Sequence, residues 1–512
     1  MRFFEHLYIS SVAILDWIIW RIDFGPAIHR IFLAPSVGNF RVGLGKIRAI
    51  RVFRHASKKV PAYTDYLKKH DFMGPKVGIY RTSLNGIPEM DKSSYIKKYS
   101  ITDKLYNAHL PRRGVMFDES SGSSGTPTSW VRGYKERRFI KRIMQVAFQE
   151  YIEDKSPIVL NTFSMGAWAT GLNTTISLID VGRVKSLGPD IVKVTDTLRE
   201  LGSDFEYVIC GYPPFLKQLA DSKEIDWKKY KIYAIFGGEG ISENMRTSLL
   251  EKYRDVVGSY GASDLEINIA HETKFTIELR KALIKYPELR AELLKENHGV
   301  IPMVFQYNPY DYLVESNDKG ELVVTICRLQ NISPRVRYNI HDLGHQINFY
   351  DLKKILKKHN RKDLLKLVKL DFGVLFHYGR SDLSVDYNGA VVGPEEIKQI
   401  ISGSDMTSLI ESFRLINYED KQSHKHLLFA IELAKDKDMP KALIDSLYKL
   451  IIENLQISNL DFKSALSSSQ LKPEIKIYNF NSGIFDEKHK KLKNDYVWNI
   501  DFKRSKEEGL AK

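Results

Sequence analysis

The residues best suited to chemistry lie in one short stretch that is rich in hydroxyl groups and glycine. It reads Glu-Ser-Ser-Gly-Ser-Ser-Gly-Thr-Pro-Thr over residues 119–128 and closely follows an apolar run at 115–117. Glycines let the backbone turn tightly and bring its N–H groups close to an anion, and the hydroxyls add further donors. The stretch therefore predicts a loop that wraps a polyphosphate, although its composition also suits a flexible Ser/Gly linker. It is not a Walker loop, because no Gly-Lys-Ser/Thr closes it.

Three further stretches combine glycines with carboxylates, an aromatic ring or an arginine. None of these stretches alone is good evidence for a function. Together with the first stretch they give four motifs in a fixed order along the chain. They are Gly-Gly-Glu-Gly at 237–240 with Ser-Tyr-Gly-Ala-Ser-Asp at 259–264, Arg-Tyr-Asn-Ile-His-Asp-Leu-Gly at 337–344, and Tyr-Gly-Arg-Ser-Asp at 378–382 with Gly389 and Pro-Glu-Glu-Ile at 394–397.

Alternating strand and helix patterns surround these stretches. Such alternation predicts a largely parallel sheet with helices on its faces, and ligands of such sheets bind beyond the carboxyl ends of the strands. The strand-like runs are 158–160, 207–209 and 232–236, and the helix patterns are 191–202, 213–222 and a segment that Ser242 would cap.

The pattern changes after residue 300. A turn at 317–320 precedes the strand-like run 321–326, which predicts an antiparallel β subdomain within 300–350. A lysine- and leucine-rich helix near 351–368 separates two of the motif stretches, so we interpret it as an insertion. Beyond residue 380 helices and strands mix, which predicts a smaller α+β unit.

The four motif stretches, in this order, resemble the adenylate-forming acyl-CoA synthetase superfamily. The chain looks most similar to the phenylacetate–CoA ligase-like branch, which includes proteins encoded with capsule-biosynthesis genes. Residues 55–63 and Gly-Tyr-Pro at 211–213 also resemble that branch. The resemblance covers most of residues 50–400. It implies an AMP-forming acid–thiol ligase, which uses ATP and Mg²⁺ to convert a carboxylic acid to an acyl-adenylate with release of pyrophosphate and then transfers the acyl group to CoA or another thiol.

The resemblance also implies a fold class and domain organisation. We expect an α/β protein with a large N-terminal domain, which contains mainly parallel sheets and a β subdomain, and a small mobile α+β C-terminal domain. The expected boundaries are 1–45 for an apolar N-terminal segment, 46–380 for the large adenylation domain, 381–502 for the small domain and 503–512 for a disordered polar tail.

Residue roles follow from the same resemblance. Asp264 would act near Mg²⁺ and the phosphates, Asp342 would hold the ribose hydroxyls, and adenine would stack on Tyr260. Asp382 would be the hinge of the small domain, and Lys488 its catalytic lysine. The ordinary alternatives are a turn-forming aspartate for Asp342, a buried aromatic ring for Tyr260 and a polar surface turn for Arg380 and Asp382. The residues expected to bind the nucleotide are Ser120, Ser121, Gly122, Ser123, Ser124, Gly125, Thr126, Gly238, Glu239, Gly240, Tyr260, Gly261, Ser263, Asp342 and Arg380.

The sequence departs from the superfamily pattern at three places. Thr126 stands where many members carry a lysine. Asp264 replaces the usual glutamate, so Glu266 is a second candidate for that carboxylate. The lysine motif lacks its glycine, because Glu487 precedes Lys488. Its lysine therefore has alternatives at 490 and 491, and the basic run also suits a solvated strand edge.

The overall composition limits which metal sites, cellular locations and partners are expected. The chain has 512 residues, 43% of them hydrophobic, and a formal net charge of +14. Two isolated cysteines cannot supply a four-cysteine zinc site or a disulfide framework, which fits a reducing, cytoplasmic location. The partner implied is a small-molecule carboxylic acid, and nucleic acid is not expected because no binding signature appears. The acid and the oligomeric state stay open.

An apolar run near the N-terminus has two interpretations. Residues 7–20 are mostly apolar, but Asp16 interrupts them and the run falls short of the roughly 20 residues of a membrane span. It predicts either a helix packed on the protein body or a helix at residues 7–22 that lies peripherally in the inner face of a membrane.

Two other functions share most of the motifs. One is an adenylyltransferase that forms a nucleotide adduct, and the other is a nucleotide-binding scaffold without turnover. The residues that would line an apolar acyl pocket, or else belong to the core, are Phe163, Met165, Trp168 and Tyr212.

Overall fold

The computed structural model places a large domain before residue 381 and a smaller one after it, with a deep cleft between them. Described residues are 10–14, 17–18, 38–72, 84, 86–120, 128–137, 140–141, 144, 148, 152, 156–294, 301–381, 384–437, 441–486 and 496–511.

Buried arginines anchor the first elements of the large domain to the rest of that domain. Arg41 pairs with Asp371, and Arg48 donates to Oδ1 of Asp311 across 3.1 Å, with all four side chains at most 4% exposed. An unpaired charge at such depth is strongly destabilising. Residues 38–45 are thus part of the packed structure, and one helix crosses the boundary expected at 45/46. These elements are α1 (Gly38–Lys59), α2 (Pro61–Lys69), β1 (Val115–Ser120) and β2 (Thr128–Gly133).

The described part of the N-terminal segment packs on α1. Val12 is buried and clusters with Leu44 and Ile47, whereas Ile14 and Trp17 are exposed. Among the described residues, no helix combines the length and the apolar character needed to cross a bilayer.

The predicted alternation of strands and helices forms the parallel half of the central sheet. Its strands run in the order β7-β6-β5-β3-β4, and every neighbouring pair is parallel. Ser242 caps α6 as predicted, because its hydroxyl accepts the N–H of Met245 at 3.0 Å. The elements are β3 (Ile158–Asn161), α3 (Ala169–Leu178), β4 (Arg183–Ser186), α4 (Ile191–Leu201), β5 (Glu206–Gly211), α5 (Pro213–Asp221), β6 (Lys231–Phe236), α6 (Glu243–Leu250) and β7 (Asp255–Tyr260).

The expected β subdomain continues the same sheet. Six strands extend it antiparallel in the order β10-β11-β12-β13-β9-β8, and β8 joins β7. The expected insertion is a pair of helices, α9 and α10, which share a core with α7 and α8. The elements are β8 (Ala270–His271), α7 (Lys274–Lys285), α8 (Pro287–Leu293), β9 (Met303–Tyr307), β10 (Tyr312–Ser316), β11 (Glu321–Ile326), β12 (Tyr338–Ile347), α9 (Phe349–Lys358), α10 (Lys362–Leu365) and β13 (Gly373–Arg380).

The small domain has a separate hydrophobic core and a four-stranded sheet in the order β18-β17-β16-β19. With the parallel sheet and the β subdomain, it confirms the predicted α/β fold class. Its elements are β14 (Val385–Tyr387), β15 (Ala390–Val392), α11 (Pro394–Ser402), β16 (Ile410–Glu419), β17 (Lys425–Leu433), α12 (Lys441–Ser458), α13 (Leu460–Ser468), β18 (Glu474–Tyr478), β19 (Val497–Ile500) and α14 (Phe502–Glu507).

The polar C-terminal segment is ordered where the structure describes it, so the expectation of a disordered tail at 503–512 is wrong. Asp501 caps α14 by accepting the N–H of Arg504, and Ser505 is fully buried and donates to the carbonyl of Glu419 at 2.7 Å. Leu510 and Ala511 then pack on an apolar cluster of the small domain. The segment is rich in charged residues, so its sequence did not indicate which few residues anchor it to the domain.

Candidate active site

A cleft of about 700 Å³ between the two domains collects the predicted motif residues. It opens where β5, β6 and β7 end, as expected for a parallel sheet. Every predicted site residue whose side chain the structure describes lies on its wall. These residues are Gly238, Glu239, Gly240, Tyr260, Gly261, Ser263, Asp264, Asp342 and Arg380.

Asp342 and Arg380 face one another across two neighbouring strands. They are direct partners in the antiparallel pairing of β12 with β13. Oδ2 of Asp342 accepts a hydrogen bond from the Tyr260 hydroxyl at 2.6 Å and lies 3.2 Å from Nε2 of His377. Burial alone would raise the pKa of Asp342, but His377, Arg380 and Tyr260 outweigh it and hold the pKa below its ordinary value. The cleft therefore contains a carboxylate that is kept ionised.

Tyr260 is mostly enclosed by other rings. Its ring stacks on Phe305 with centroids 5.5 Å apart and contacts His377 at 4.7 Å, and only 8% of the residue is exposed. This environment resembles that of an ordinary buried aromatic residue, and the small exposed part faces the cleft. Its hydroxyl serves to hold Asp342.

The backbone before Asp342 adopts an unusual conformation. His341 has φ +59°, in the left-handed region that few residues other than glycine adopt, with asparagine, aspartate and histidine the most frequent among them. The side-chain oxygen of Asn339 accepts the His341 N–H at 2.8 Å and stabilises this turn. A register shift between Leu343 and Gly344 follows immediately. Such features re-aim a side chain, and here they direct Asp342 into the cleft.

Glu321 organises the segments around this turn, although no sequence signal marked it. Its carboxylate accepts hydrogen bonds from Ser381 at 2.5 Å, Asn339 at 2.8 Å and Asn317 at 3.0 Å, and it lies 3.3 Å from His341. Burial alone would raise its pKa, but these donors lower the pKa of Glu321 to about 2. One ionised group thus ties the third motif to the fourth.

Asp264, the carboxylate expected to act near Mg²⁺, lies on the cleft wall. Its Oδ2 accepts the hydroxyl hydrogen of Tyr338 at 2.6 Å. The alternative, Glu266, is wrong: it is 1% exposed and pairs with Arg328 in the core, where Asn331 also donates to it at 3.1 Å. A glutamate committed to a buried ion pair cannot replace Asp264.

Other charged residues on the cleft wall were not among the predicted site residues, and Lys92 and Glu119 are two of them. Lys92 follows Asp91, which caps a short helical turn, and Glu119 belongs to β1. Burial lowers the pKa of Lys92, while the charge of Asp264 opposes that effect. The capping pattern at 91–94 predicts only a turn, so it gave no signal for a cleft cation.

Small-domain residues complete the cleft by direct contact with the large domain. Lys425, at the start of β17, donates to Oε2 of Glu239 at 2.7 Å and to the carbonyl of Gly240 at 2.5 Å. Nearby, the hydroxyl of Ser242 donates to Glu419 at 2.6 Å. Asp386 is partly buried near this pair, and desolvation together with the charge of Glu239 raises its pKa to about 7.

Two glycines from different domains meet at one tyrosine. Gly238 and Gly389 have φ values of +87° and +85°, and a Cβ on either would lie within 2.7 Å of the Tyr212 ring. Both positions therefore require glycine for conformational and steric reasons. Trp168 and Tyr212 line the cleft, whereas Phe163 lies in the core with its ring edge against Tyr212, so only part of the suggested acyl pocket faces the cleft. Met165 is 36% exposed.

Several predicted residues lie outside the described part of the chain. Ser120 ends β1, and the connection from β1 to its antiparallel partner β2 contains the rest of the predicted phosphate loop. The residues concerned are Ser121, Gly122, Ser123, Ser124, Gly125, Thr126, Asp382 and Lys488.

Comparisons with known proteins identify the fold. No family model matches the chain, and no curated protein is detectably similar in sequence. Among solved structures, 2-hydroxyisobutyryl-CoA ligase in complex with 2-HIB-AMP and CoA in the thioesterification state superposes with a TM-score of 0.62 at 12% identity, over 93% of this chain and 92% of that one. The same ligase in the postadenylation state with 2-HIB-AMP gives 0.50 over the same shares at 12% identity. Its open conformation also gives 0.50, at 11% identity over 89% of this chain and 90% of that one. The chain thus has the fold of this adenylate-forming ligase.

Proposed function

We propose that this protein activates a carboxylic acid with ATP, forms an acyl-adenylate with release of pyrophosphate, and transfers the acyl group to CoA or another thiol. The observation that carries the proposal is that Asp342 and Arg380, direct partners in the register of β12 with β13, line the same cleft as the glycine-rich turn after β6. An ionised carboxylate suits the two ribose hydroxyls, and a guanidinium suits the adjacent phosphate. The shared fold supports the same reaction class.

The roles of the glycine-rich segments follow from their places. Gly238 and Gly240 would let the backbone approach the adenine base, and Gly261 and Ser263 line the same cleft. The hydroxyls and N–H groups of residues 120–126 would bind the β- and γ-phosphates, next to the cleft residue Glu119. Lys92 offers a positive charge on the cleft wall, whereas Thr126 is uncharged.

Mg²⁺ fits the donor set of the cleft. Among the described residues, no group of three or more His, Cys, Asp and Glu side chains is arranged to hold a metal alone. Mg²⁺ however is usually held by one or two carboxylates together with substrate phosphates and waters. Asp264 would supply such a carboxylate, and the bound ion would neutralise phosphate charge.

We also infer that the small domain stands in the orientation for acyl transfer. Three conformations of one ligase share a single sequence, so differences among their TM-scores reflect conformation. The thioesterification state scores 0.62, and the postadenylation and open states score 0.50. In our proposal Asp382 is the hinge, between β13 and β14, and Lys488 reaches the cleft only after rotation to the adenylation orientation.

The branch of the superfamily and a contact with the membrane are part of the same proposal. His55 to Tyr63 and the segment around Tyr212 support the phenylacetate–CoA ligase-like branch with its capsule-associated relatives. The exposed Ile14 and Trp17 support a peripheral membrane contact of residues 7–22, whereas Val12 packs on the body of the protein.

Product analysis tests the proposal. The full-length protein is incubated with ATP, Mg²⁺, CoA and a panel of carboxylic acids, and the products are identified by mass spectrometry. Acyl-adenylate or acyl-CoA with equimolar pyrophosphate is the expected result. A nucleotide adduct with no acyl product would instead identify an adenylyltransferase, and nucleotide binding with no pyrophosphate at all would identify a scaffold without turnover.

A further inference from the structure

One buried ion pair joins the two domains inside the cleft. Lys425 of the small domain contacts Glu239, the acidic residue of the glycine-rich turn after β6. The Glu239 side chain is 2% exposed and that of Lys425 is 19% exposed. The second oxygen of Glu239 is buried and has no hydrogen-bond partner among the described residues. The ammonium group of Lys425 is therefore the main compensation of this negative charge.

The ion pair depends on the orientation of the small domain, because Lys425 belongs to the small domain and Glu239 to the large one. In this arrangement the small domain shields Glu239 from water. Rotation of the small domain would carry Lys425 away and open Glu239 to solvent, so neither charge would then need the other. A buried ion pair contributes little net stability, but removal of one partner leaves an uncompensated charge and is strongly unfavourable. Loss of Lys425 would thus penalise this orientation and leave the other unaffected.

Other contacts stabilise the same interface between the two domains. Ser242, two residues after the glycine-rich turn, donates to Glu419 at the end of β16. His424 lies 2.6 Å from Asp221 at the end of α5. Gly389 of the small domain fits against Tyr212. Lys425 donates hydrogen bonds to two groups of the turn that carries Gly238 and Gly240, so its position reports directly on the proposed nucleotide site.

We propose that Lys425 is a positioning residue that holds the small domain in the acyl-transfer orientation by pairing with Glu239 of the nucleotide-binding turn. This inference rests on the proposed function for the meaning of the orientation. The orientation itself does not depend on any activity, which allows the two to be tested separately.

The first experiment measures the domain arrangement without substrate. Spin labels are attached to Lys354→Cys on the large domain and Ile457→Cys on the small domain, since both positions are 78% exposed and the native Cys210 and Cys327 are buried. Lys425→Met removes the charge and keeps an apolar stem. Lys421→Met removes the same charge from the exposed turn four residues earlier and is the matched control.

We expect the dominant interdomain distance to be the one in this structure and its population to fall about tenfold or more in Lys425→Met. Lys421→Met should leave the distribution unchanged, and Lys425→Arg should restore most of it because it keeps the charge. An unchanged distribution in Lys425→Met, or an equal change in Lys421→Met, would overturn the proposal.

The second experiment separates the half-reactions. With an acid that the wild-type protein activates, Lys425→Met should keep ATP–pyrophosphate exchange within about twofold and slow single-turnover acyl transfer from enzyme-bound adenylate about tenfold or more. Equal loss of both half-reactions would contradict a positioning role. If no acid supports exchange in the wild-type protein, the proposed function fails while the distance measurement still decides whether Lys425 holds this orientation.

Discussion

The hydroxyl of Tyr260 and the carboxylate of Asp342 are joined by a hydrogen bond of 2.6 Å between residues 82 positions apart. Tyr260 ends β7 and Asp342 belongs to β12, with β8, β9 and β13 between these strands in the sheet order. In a flat sheet the two strands would lie about 19 Å apart, at roughly 4.8 Å per interval. The sheet must therefore curl strongly, and this curl brings the second and third motif stretches together at the cleft.

The first prediction concerns nucleotide binding at this hydrogen bond. Asp342→Asn keeps the shape of the side chain and removes its charge. We expect ATP affinity, measured by calorimetry, to fall by about 1.5–3 kcal/mol, because a charged hydrogen-bonding partner is lost. Asp363→Asn, on the exposed surface of α10, is the control and should bind normally. Unchanged affinity in Asp342→Asn with an intact melting transition would remove Asp342 from the site.

The second prediction concerns the N-terminal helix. A chain that starts at residue 38 should fold, whereas one that starts at residue 46 loses Arg41 and leaves Asp371 buried without its partner. Removal of one member of a buried pair lowers the free energy of unfolding by about 3–5 kcal/mol. Chemical denaturation of both truncations measures the difference.

Arg41→Met in the full-length chain is the matched point variant and should reproduce most of that loss. Equal stability of the two truncations would show that α1 is dispensable before residue 46. Flotation of both with anionic vesicles, beside the intact protein, tests membrane contact by residues 7–22.

The third prediction is a pH dependence of stability. Hydrogen bonds to Asp91 and Glu321 raise the pKa of His341 from 6.5 to about 8, although burial opposes them. A raised pKa means that the stabilisation is fully present below pH 6.5 and is lost as the pH rises through about 8. His341 is 38% exposed, so screening should keep the effect below about 1 kcal/mol.

His341→Asn isolates this contribution, because asparagine tolerates the left-handed backbone conformation. The difference in unfolding free energy between wild type and variant should shrink from pH 6.5 to pH 8.5. A difference that is constant over this range would mean that His341 keeps its ordinary pKa.

The fourth prediction concerns the basic run that lies outside the described residues. Lys488→Ala should lower ATP–pyrophosphate exchange by about a hundredfold or more, the effect of losing one electrostatic contact in a transition state. Transfer from preformed acyl-adenylate should persist. Lys490→Ala and Lys491→Ala test the register, and full exchange in all three variants would identify the run as a solvated edge.

Local patterns were sufficient to predict most of the architecture. Alternating apolar runs located the parallel strands, and the capping residue Ser242 located a helix start. The second motif stretch also indicated the cleft, because 237–240 follows β6 and 259–264 begins at the end of β7, and the ends of parallel strands share one edge of the sheet. These signals act over a few residues, which is why they can be recognised without a structure.

The missed residues depend on contacts between distant parts of the chain. Lys425 and Glu239 are 186 positions apart, and Glu321 and Ser381 are 60 apart. Glu266 suited the metal site by its position, but only the fold reveals its buried partner Arg328. No local pattern specifies which charged residues meet after the sheet has curled and the domains have closed.

The central claim is that the cleft activates a carboxylic acid with ATP, and acid-dependent ATP–pyrophosphate exchange tests it most directly. The wild-type protein is assayed with labelled pyrophosphate across aliphatic, aromatic and hydroxylated acids, and Asp342→Asn serves as the impaired reference. We predict exchange that requires one acid class and falls at least about tenfold in Asp342→Asn. Exchange that is equally fast without any acid, or absent with every acid while ATP still binds, would contradict the account.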